Sequence, residues 1–411
     1  MTGEWDTRRI GTLGRVVTGK TPPTVDSDNF GGPYPFITIP DLGGSVFIDQ
    51  TARTISARGA ETMKSCLLPP GAVMMSCIAT IGKCGITTKP SFTNQQINSI
   101  IPNEEADPQF LYYVFTQLGQ ELESAGGGGS VYTNVSKFRF SDIEISLPRD
   151  IQQQRAIAHI LGTLDDKIEL NRQMNETLKA MARSIFKSWF VDFDPVHAKA
   201  EGHDPGLPKH IADFFPDSFE DSELGEIPEG WGVRELGSLL ELAYGKALKE
   251  ENRKPGQIPV FGSNGQVGWH DEKLAGGPGV ILGRKGNPGV VTWVPTDFFA
   301  IDTTFYVVPK ADCRSLYFIF YALDIQNLAS LGADSAVPGL NRNLAYMSKQ
   351  IVPPSDLLEF FDSRVKLFFQ RIHEADSESS TLAALRNALL PKLISGELRV
   401  KDAERFVEVQ L

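Results

Sequence analysis

Two stretches of the chain write one skeleton 226 positions apart: WDTRRIGTLGRVVTGK at residues 5–20 and WGVRELGSLLELAYGK at 231–246. Each opens on Trp, places Ile-Gly or Leu-Gly five residues on, and closes on Gly-Lys. A repeat decides the architecture before any single element is assigned. This one continues. PPGAVMMSCIATIGKCGI (69–86) faces GPGVILGRKGNPGVV (277–291), each a Pro-Gly turn, an apolar strand, a Gly-bearing turn and a second strand. INSIIP (97–102) faces TFYVVP (304–309), LYYVF (111–115) faces LYFIF (316–320), and NVSK (134–137) faces GLNR (339–342). Each copy then reaches a Pro-marked strand, ISLP or IVPP. A unit near 200 residues is a duplicated domain, not a solenoid repeat.

Each copy closes on a long helical pattern. Ile157, Leu164, Asn171, Leu178 and Ile185 recur every seven residues, and adding 204 to each number gives Phe361, Phe368, Ala375, Leu382 and Leu389. Leu161 and Ile168 map in the same way onto Val365 and Ile372. A seven-residue apolar period held over four heptads is coiled-coil patterning; an amphipathic helix packed on its own domain is the alternative, and two copies in register favour helices that pair with each other. Asn171 falls on the seam, where a buried Asn specifies register; a partly exposed Asn is the alternative. The expected fold is α+β. Two tandem strand-rich modules are each followed by a long helix, and the helices pack as an antiparallel coiled coil with pseudo-twofold symmetry.

Charge decides less than it first suggests. The net charge is −11, but residues 201–226 hold eight acids against Lys209 alone and so carry −7 of it. Residues 62–103 and 273–296 contain lysine and arginine and no acid. Nucleic-acid binding depends on local basic surface, so the total excludes nothing. The start MTGEWDTRRI lacks an apolar signal core, and no apolar run reaches a membrane span. Cys66, Cys77, Cys84 and Cys313 show no metal-ligand spacing and read as free thiols of a reduced cytoplasm.

Catalytic motifs fail one by one. GRVVTGKT (14–21) matches the phosphate-binding loop pattern, but that loop needs a helix starting at its Lys-Thr. Here Pro22-Pro23 follows at once, and the second copy, LELAYGKA, keeps only Gly245-Lys246. What both copies retain is a turn lysine, Lys20 or Lys246, suited to a phosphate contact or simply to water. The three Pro-Pro pairs follow Thr21, Leu68 and Val352, so none forms the Asn/Asp-Pro-Pro-aromatic loop of an amino-methyltransferase. Nuclease carboxylate sets, GxSxG, HExxH and GxGxxG are missing too. The six histidines are scattered. A binding protein with no metal site of its own is what remains.

Reading DNA bases takes Arg or Lys for guanine and Asn or Gln for adenine on a protruding element. The second copy offers Arg284, Lys285 and Asn287 in GRKGNPG; the first offers Thr80 and Lys83 in TIGKCG, then Asn94, Gln95 and Gln96 in TNQQ. The scaffold repeats while the polar groups at its turns differ, as expected of two modules that read different short sequences. GGGGS (126–130) reads as a loop that is mobile, with or without ordering on DNA.

With these residues in place the chain resembles the specificity subunits of type I restriction–modification systems. The resemblance rests on the doubled Trp…Gly-Lys opening, the Gly-turn hairpins, the 152–196 segment ending IFKSWFVDFDPV, and TLAALRNALLPKLISGELRV at 381–400. CIAT stands where a basic hairpin is expected. The resemblance implies target-recognition domains at 1–149 and 227–354, a central spacer helix at 150–192, an acidic Pro/Gly connector at 193–226, a C-terminal spacer helix at 355–396 and a tail at 397–411. It implies double-stranded DNA as ligand, read as a bipartite asymmetric site with one domain per half. It also implies two copies of a modification (methyltransferase) subunit and a restriction/translocase subunit as partners. S-adenosylmethionine, ATP and Mg would sit on those partners and no cofactor on this chain. A stand-alone modification enzyme and a non-DNA scaffold of duplicated β modules are the alternatives. About 30 helical residues span roughly 45 Å, close to the roughly 34–36 Å of one DNA turn, so the helices would space the two readers.

Overall fold

The computed structural model describes residues 5–126, 134–326, 328–331 and 339–408. Of GGGGS, only Gly126 lies among them. The chain divides into two compact units, Met1–Arg172 with Ser377–Leu411, and Gln173–Asp376.

In the first unit β1 (Trp5–Arg9) leads through a helical turn to β2 (Gly14–Thr18). Then come β3 (Phe30–Ile37), β4 (Phe47–Ile48), β5 (Thr54–Ile55), helix α1 (Ala57–Glu61), β6 (Val73–Ser76), β7 (Cys84–Thr87), β8 (Phe92–Thr93) and β9 (Ile97–Pro102). Helices α2 (Pro108–Gly126) and α3 (Lys137–Asp142) precede β10 (Glu144–Pro148), which returns to pair antiparallel with β1. The main sheet runs β2-β9-β6-β7-β4, and a second runs β5-β3-β8 with β3 and β8 parallel. Helix α4 (Ile151–Phe190) follows, opened by Asp150, whose carboxylate accepts the Gln152 N–H at 2.9 Å.

The acidic stretch read as a connector is folded. It contains α5 (Asp194–Ala200), α6 (Lys209–Ala212) and the hairpin β11 (Phe219–Ser222) and β12 (Gly225–Pro228). Phe193, Val196, Ile211, Phe215 and Ile227 are buried in the core of the second unit. The acids lie on the surface while apolar residues spaced between them enter the core, so average composition conceals the packing.

The second unit then repeats the first. β13 (Gly232–Glu235), a short helix α7 (Leu236–Leu239), β14 (Leu240–Tyr244), β15 (Ile258–Gly262), β16 (Gly265–His270), β17 (Gly279–Gly283), β18 (Val291–Val294), β19 (Phe299–Ala300) and β20 (Thr304–Pro309) come in order. Helices α8 (Leu316–Ile325) and α9 (Arg342–Met347) and strand β21 (Lys349–Val352) complete the module. β21 pairs with β13 as β10 does with β1, and the main sheet runs β14-β20-β17-β18. The apolar repeats LYYVF and LYFIF are helical, in α2 and α8; a short apolar run does not by itself distinguish a buried strand from a buried helix.

Helix α10 (Ser355–Ile394) and α11 (Val400–Glu408) end the described chain. The unit boundary falls inside both long helices. In the first unit, residues 151–172 of α4 pack on the end of α10: Asp165 accepts from Arg386, Lys167 meets Glu378 at 3.4 Å, and Asn171 donates to Glu378 at 2.7 Å and Ser379 at 3.2 Å. In the second, Asn175 donates to Asp376 at 2.7 Å, and Phe186 and Trp189 pack on Phe361. Rising numbers on α4 meet falling numbers on α10, so the pairing is antiparallel in each unit. Ile157, Leu164, Asn171, Phe361, Ala375, Leu382 and Leu389 are buried, and Leu178, Ile185 and Phe368 half-buried. Asn171 is only 1% exposed. Its amide hydrogens are satisfied by Glu378 and Ser379, which fixes axial register more sharply than another Leu would.

Candidate nucleic-acid interface

The doubled Gly-Lys is a backbone device. A Cβ on Gly19 would lie 2.1 Å from the Asn94 carbonyl, and one on Gly245 would lie 2.0 Å from that of Ile301. At both places the chain leaving β2 or β14 runs hard against the loop after β8 or β19. The Lys20 N–H donates to the Thr93 carbonyl at 2.9 Å and the Lys246 N–H to Ala300 at 3.0 Å. Both lysine side chains are left exposed. Gly14–Thr18 is a sheet strand and no helix starts at Lys20, so GRVVTGKT is not a phosphate-binding loop.

The β6–β7 and β17–β18 hairpins superimpose hydrogen bond for hydrogen bond. The Ser76 N–H donates to Lys83 and the Gly283 N–H to Val290; the Gly82 N–H donates to Ser76 and the Gly289 N–H to Gly283. Ile78 bridges Asn134 as Lys285 bridges Gly339. The carbonyl of Cys77 accepts from Val135, and that of Arg284 from Leu340. Position by position, Cys77-Ile78-Ala79-Thr80 is therefore the counterpart of Arg284-Lys285-Gly286-Asn287. CIAT does stand where the second hairpin is basic.

These bonds gather most of the candidate residues at one end of each module. In the first, Lys20, the loop Asn94–Gln96 and the tip carrying Thr80 adjoin. Asn94 and Gln96 are half-buried and turned on each other, the Asn94 amide donating to the Gln96 side chain at 3.0 Å while the Gln96 N–H donates to Asn94 at 3.1 Å. They shape the turn. Gln95 projects, accepting from the Thr21 hydroxyl at 2.7 Å. Lys83 stands apart on the far arm of the hairpin, its methylenes alongside Gly43. In the second module Lys246, Lys285 and Asn287 are exposed, and Asn287 donates to the Asn264 side chain at 2.6 Å. Arg284 is half-buried; it donates to the Asp302 carbonyl at 3.0 Å and lies 4.9 Å from the Tyr244 ring centroid.

Sequence reasoning missed Tyr244, Arg342 and Asn264. Arg342 opens α9 just after its cap Asn341, whose side chain accepts from Asn343 and Leu344; Ser136 caps α3 in the same place before Lys137. The shared basic residue of NVSK and GLNR was a usable signal.

Burial pushes the thiols of Cys77 and Cys313 up to about 11, and that of Cys84 upward as well, so they are inert. Among the described residues no group of His, Cys, Asp or Glu is placed to hold a metal ion, and no helix is long and apolar enough to cross a membrane. The fold and surface define a class: a duplicated α+β protein whose two modules share a backbone at their hairpin ends and differ there in side chains.

Residues 2–180 match the family model of the Type I restriction modification DNA specificity domain. The Type I restriction enzyme MjaIX specificity subunit of Methanocaldococcus jannaschii is 28% identical over 97% of this chain and 94% of its own length. The HindI specificity subunit of Haemophilus influenzae is 37% identical over 42% of this chain and 39% of its own. In fold, the chain is similar to the type I system S subunit of M. genitalium, with a TM-score of 0.57 at 19% identity, over 95% of this chain and 96% of that one. Residues 2–180 thus carry the type I restriction modification DNA specificity domain, and over nearly its whole length the chain is similar to a type I specificity subunit.

Proposed function

We propose that this chain reads a bipartite, asymmetric duplex site, with residues 1–149 and 227–354 as the two target-recognition domains. The observation that carries the reading is the matched pair of hairpins, identical in backbone pairing and different in every tip side chain. A conserved frame with altered donors is what two readers of two sequences require. Lys20 and Lys246 supply phosphate contacts that position each module, and the tips supply base contacts that specify. In the second module these are Arg284, Lys285 and Asn287. In the first they are Thr80 and Gln95, with Lys83 reaching the backbone and Asn94 and Gln96 holding Gln95 in place.

The paired stretches of α4 and α10 space the readers and dock two modification subunits and the restriction/translocase subunit. S-adenosylmethionine, ATP and Mg act on those partners, in the cytoplasm. Mapping methylated sites in cells with and without this chain tests the reading. A split motif should vanish when the chain is absent; an unchanged methylation pattern would refute it. A salt-dependent shift assay on mixed DNA fragments excludes the non-DNA scaffold if binding weakens steeply with salt.

A further inference from the structure

Tyr244 is the last residue of β14, opposite Phe305 of β20, and the residue is 49% exposed. Two guanidiniums approach it. The Cζ of Arg284 lies 4.9 Å from its centroid and that of Arg342 4.7 Å, with Arg342 also 5.7 Å from the Tyr346 ring. Neither arginine has a carboxylate partner among the described residues. Each instead touches a carbonyl, Arg284 that of Asp302 at 3.0 Å and Arg342 that of Leu242 at 3.5 Å. The Nε of Arg342 is buried with no hydrogen-bond partner. Two like charges are thus held on one ring, which its π-electrons make tolerable. Among the described residues, the acceptors that hydrogen-bond these two guanidiniums are those two carbonyls.

From this geometry we infer that Tyr244, Arg284 and Arg342 form a guanine-reading unit of the second module, with Tyr244 the positioning residue. The inference rests on the DNA-recognition reading. A guanidinium stacked on an aromatic ring has already lost the freedom that an open-chain Arg surrenders on binding, and its planar fork matches the O6/N7 pair of guanine. A phosphate would accept from Lys246 equally well and needs no stacking. Among the described residues the corresponding corner of the first module has no such unit; the stacked guanidinium of that module is Arg53, 4.3 Å from the Phe30 ring centroid, on a different strand pair. Thr18 faces Asn98 where Tyr244 faces Phe305, and Cys77 stands for Arg284. There the Thr18 hydroxyl donates to Asn98 at 2.6 Å and the Asn98 amide to the Val135 carbonyl at 2.9 Å, so that corner is closed on itself.

The test is selection of random duplex DNA by the full chain, with its modification subunit present. Wild type should enrich a motif with an obligatory G·C pair in one half. Tyr244→Leu and Arg342→Lys should each relax that pair by about tenfold to a hundredfold, the range of one bidentate contact. Both should leave the other half, an internal control for folding, unchanged. Tyr244→Phe should retain the preference, and Arg342→Lys, which keeps its charge, should retain the salt dependence. If Arg342→Lys and Tyr244→Leu keep full preference for that pair, or if they weaken all sequences alike, the inference fails while the DNA reading stands. A wild-type chain that enriches no motif at all would overturn both.

Discussion

The two modules share a frame, and among the described residues their differences include three places that face outward or sideways. At the recognition corner, the first packs a small polar set, Thr18, Cys77 and Asn98, and the second a cationic stack on Tyr244. At the hairpin tip, Ala79 adopts φ 65° where Gly286 adopts 83°. At the sheet edge, β4 pairs parallel with β7, whereas among the described residues the second sheet ends at β18. The lesson is a division of labour. Backbone bonds and close glycines are common property, and side chains at the turns belong to each module alone.

The largest expected effect tests the common property. Gly19→Ala and Gly245→Ala should each destabilise by about 3 kcal/mol or more, since a Cβ near 2 Å from a carbonyl oxygen forces the backbone apart. Denaturant unfolding should show similar losses from the two; a harmless substitution at either glycine would break the equivalence.

A second prediction separates the modules by pH. The Ser315 hydroxyl caps α8 and donates to Asp362 of α10, whereas in the first module Gln154 of α4, a neutral amide, accepts from the N–H of the capping Asp107. Burial pushes the Asp362 carboxyl from its usual 3.8 up to about 6, with Glu359 adding to it and the Ser315 bond opposing. The folded state therefore holds this proton more tightly than the unfolded one. Stability falls as pH rises from about 4 to 6 and stays lower above that. A tenfold change in acidity is about 1.4 kcal/mol, and solvent screening of this partly exposed carboxyl reduces the cost at neutral pH to on the order of 1 kcal/mol. Asp362→Asn should raise the melting temperature at pH 7.5 and scarcely change it at pH 4. A pH-independent gain would show that the carboxyl's charge is not the cause.

The hairpin tips give a smaller contrast. Ala79→Gly should stabilise by about 1 kcal/mol, because a left-handed backbone costs an alanine roughly 1–2 kcal/mol, and Gly286→Ala should lose a similar amount. Thermal melts of the two variants that moved in the same direction would contradict the alignment of the tips.

The smallest effect concerns the turn lysines. Lys20→Ala and Lys246→Ala should each weaken binding to all sequences and reduce the salt slope by about one, with half-site preference intact. Neither should alter ATP turnover by the purified chain, which should have none. A changed motif would move either lysine from backbone to base contact.

Much of this was legible in the residues alone. The duplication, the strand pairs around each Gly turn and the heptad seam with Asn171 all follow from local periodicity, which is written into consecutive side chains. The fate of residues 193–226 was not, because whether an acidic segment docks depends on a distant core that covers Phe193 and Phe215. At the interface, the sequence by itself determined the turns and most of the polar residues near them. Only the tertiary structure decided which of these project. Asn94 and Gln96 bond to each other, Lys83 leaves on the far arm, and Arg342 arrives from 58 residues beyond Arg284 to meet Tyr244. Register along a strand or helix is a property of neighbours in sequence; the direction a turn residue faces is set by whatever the rest of the chain brings against it.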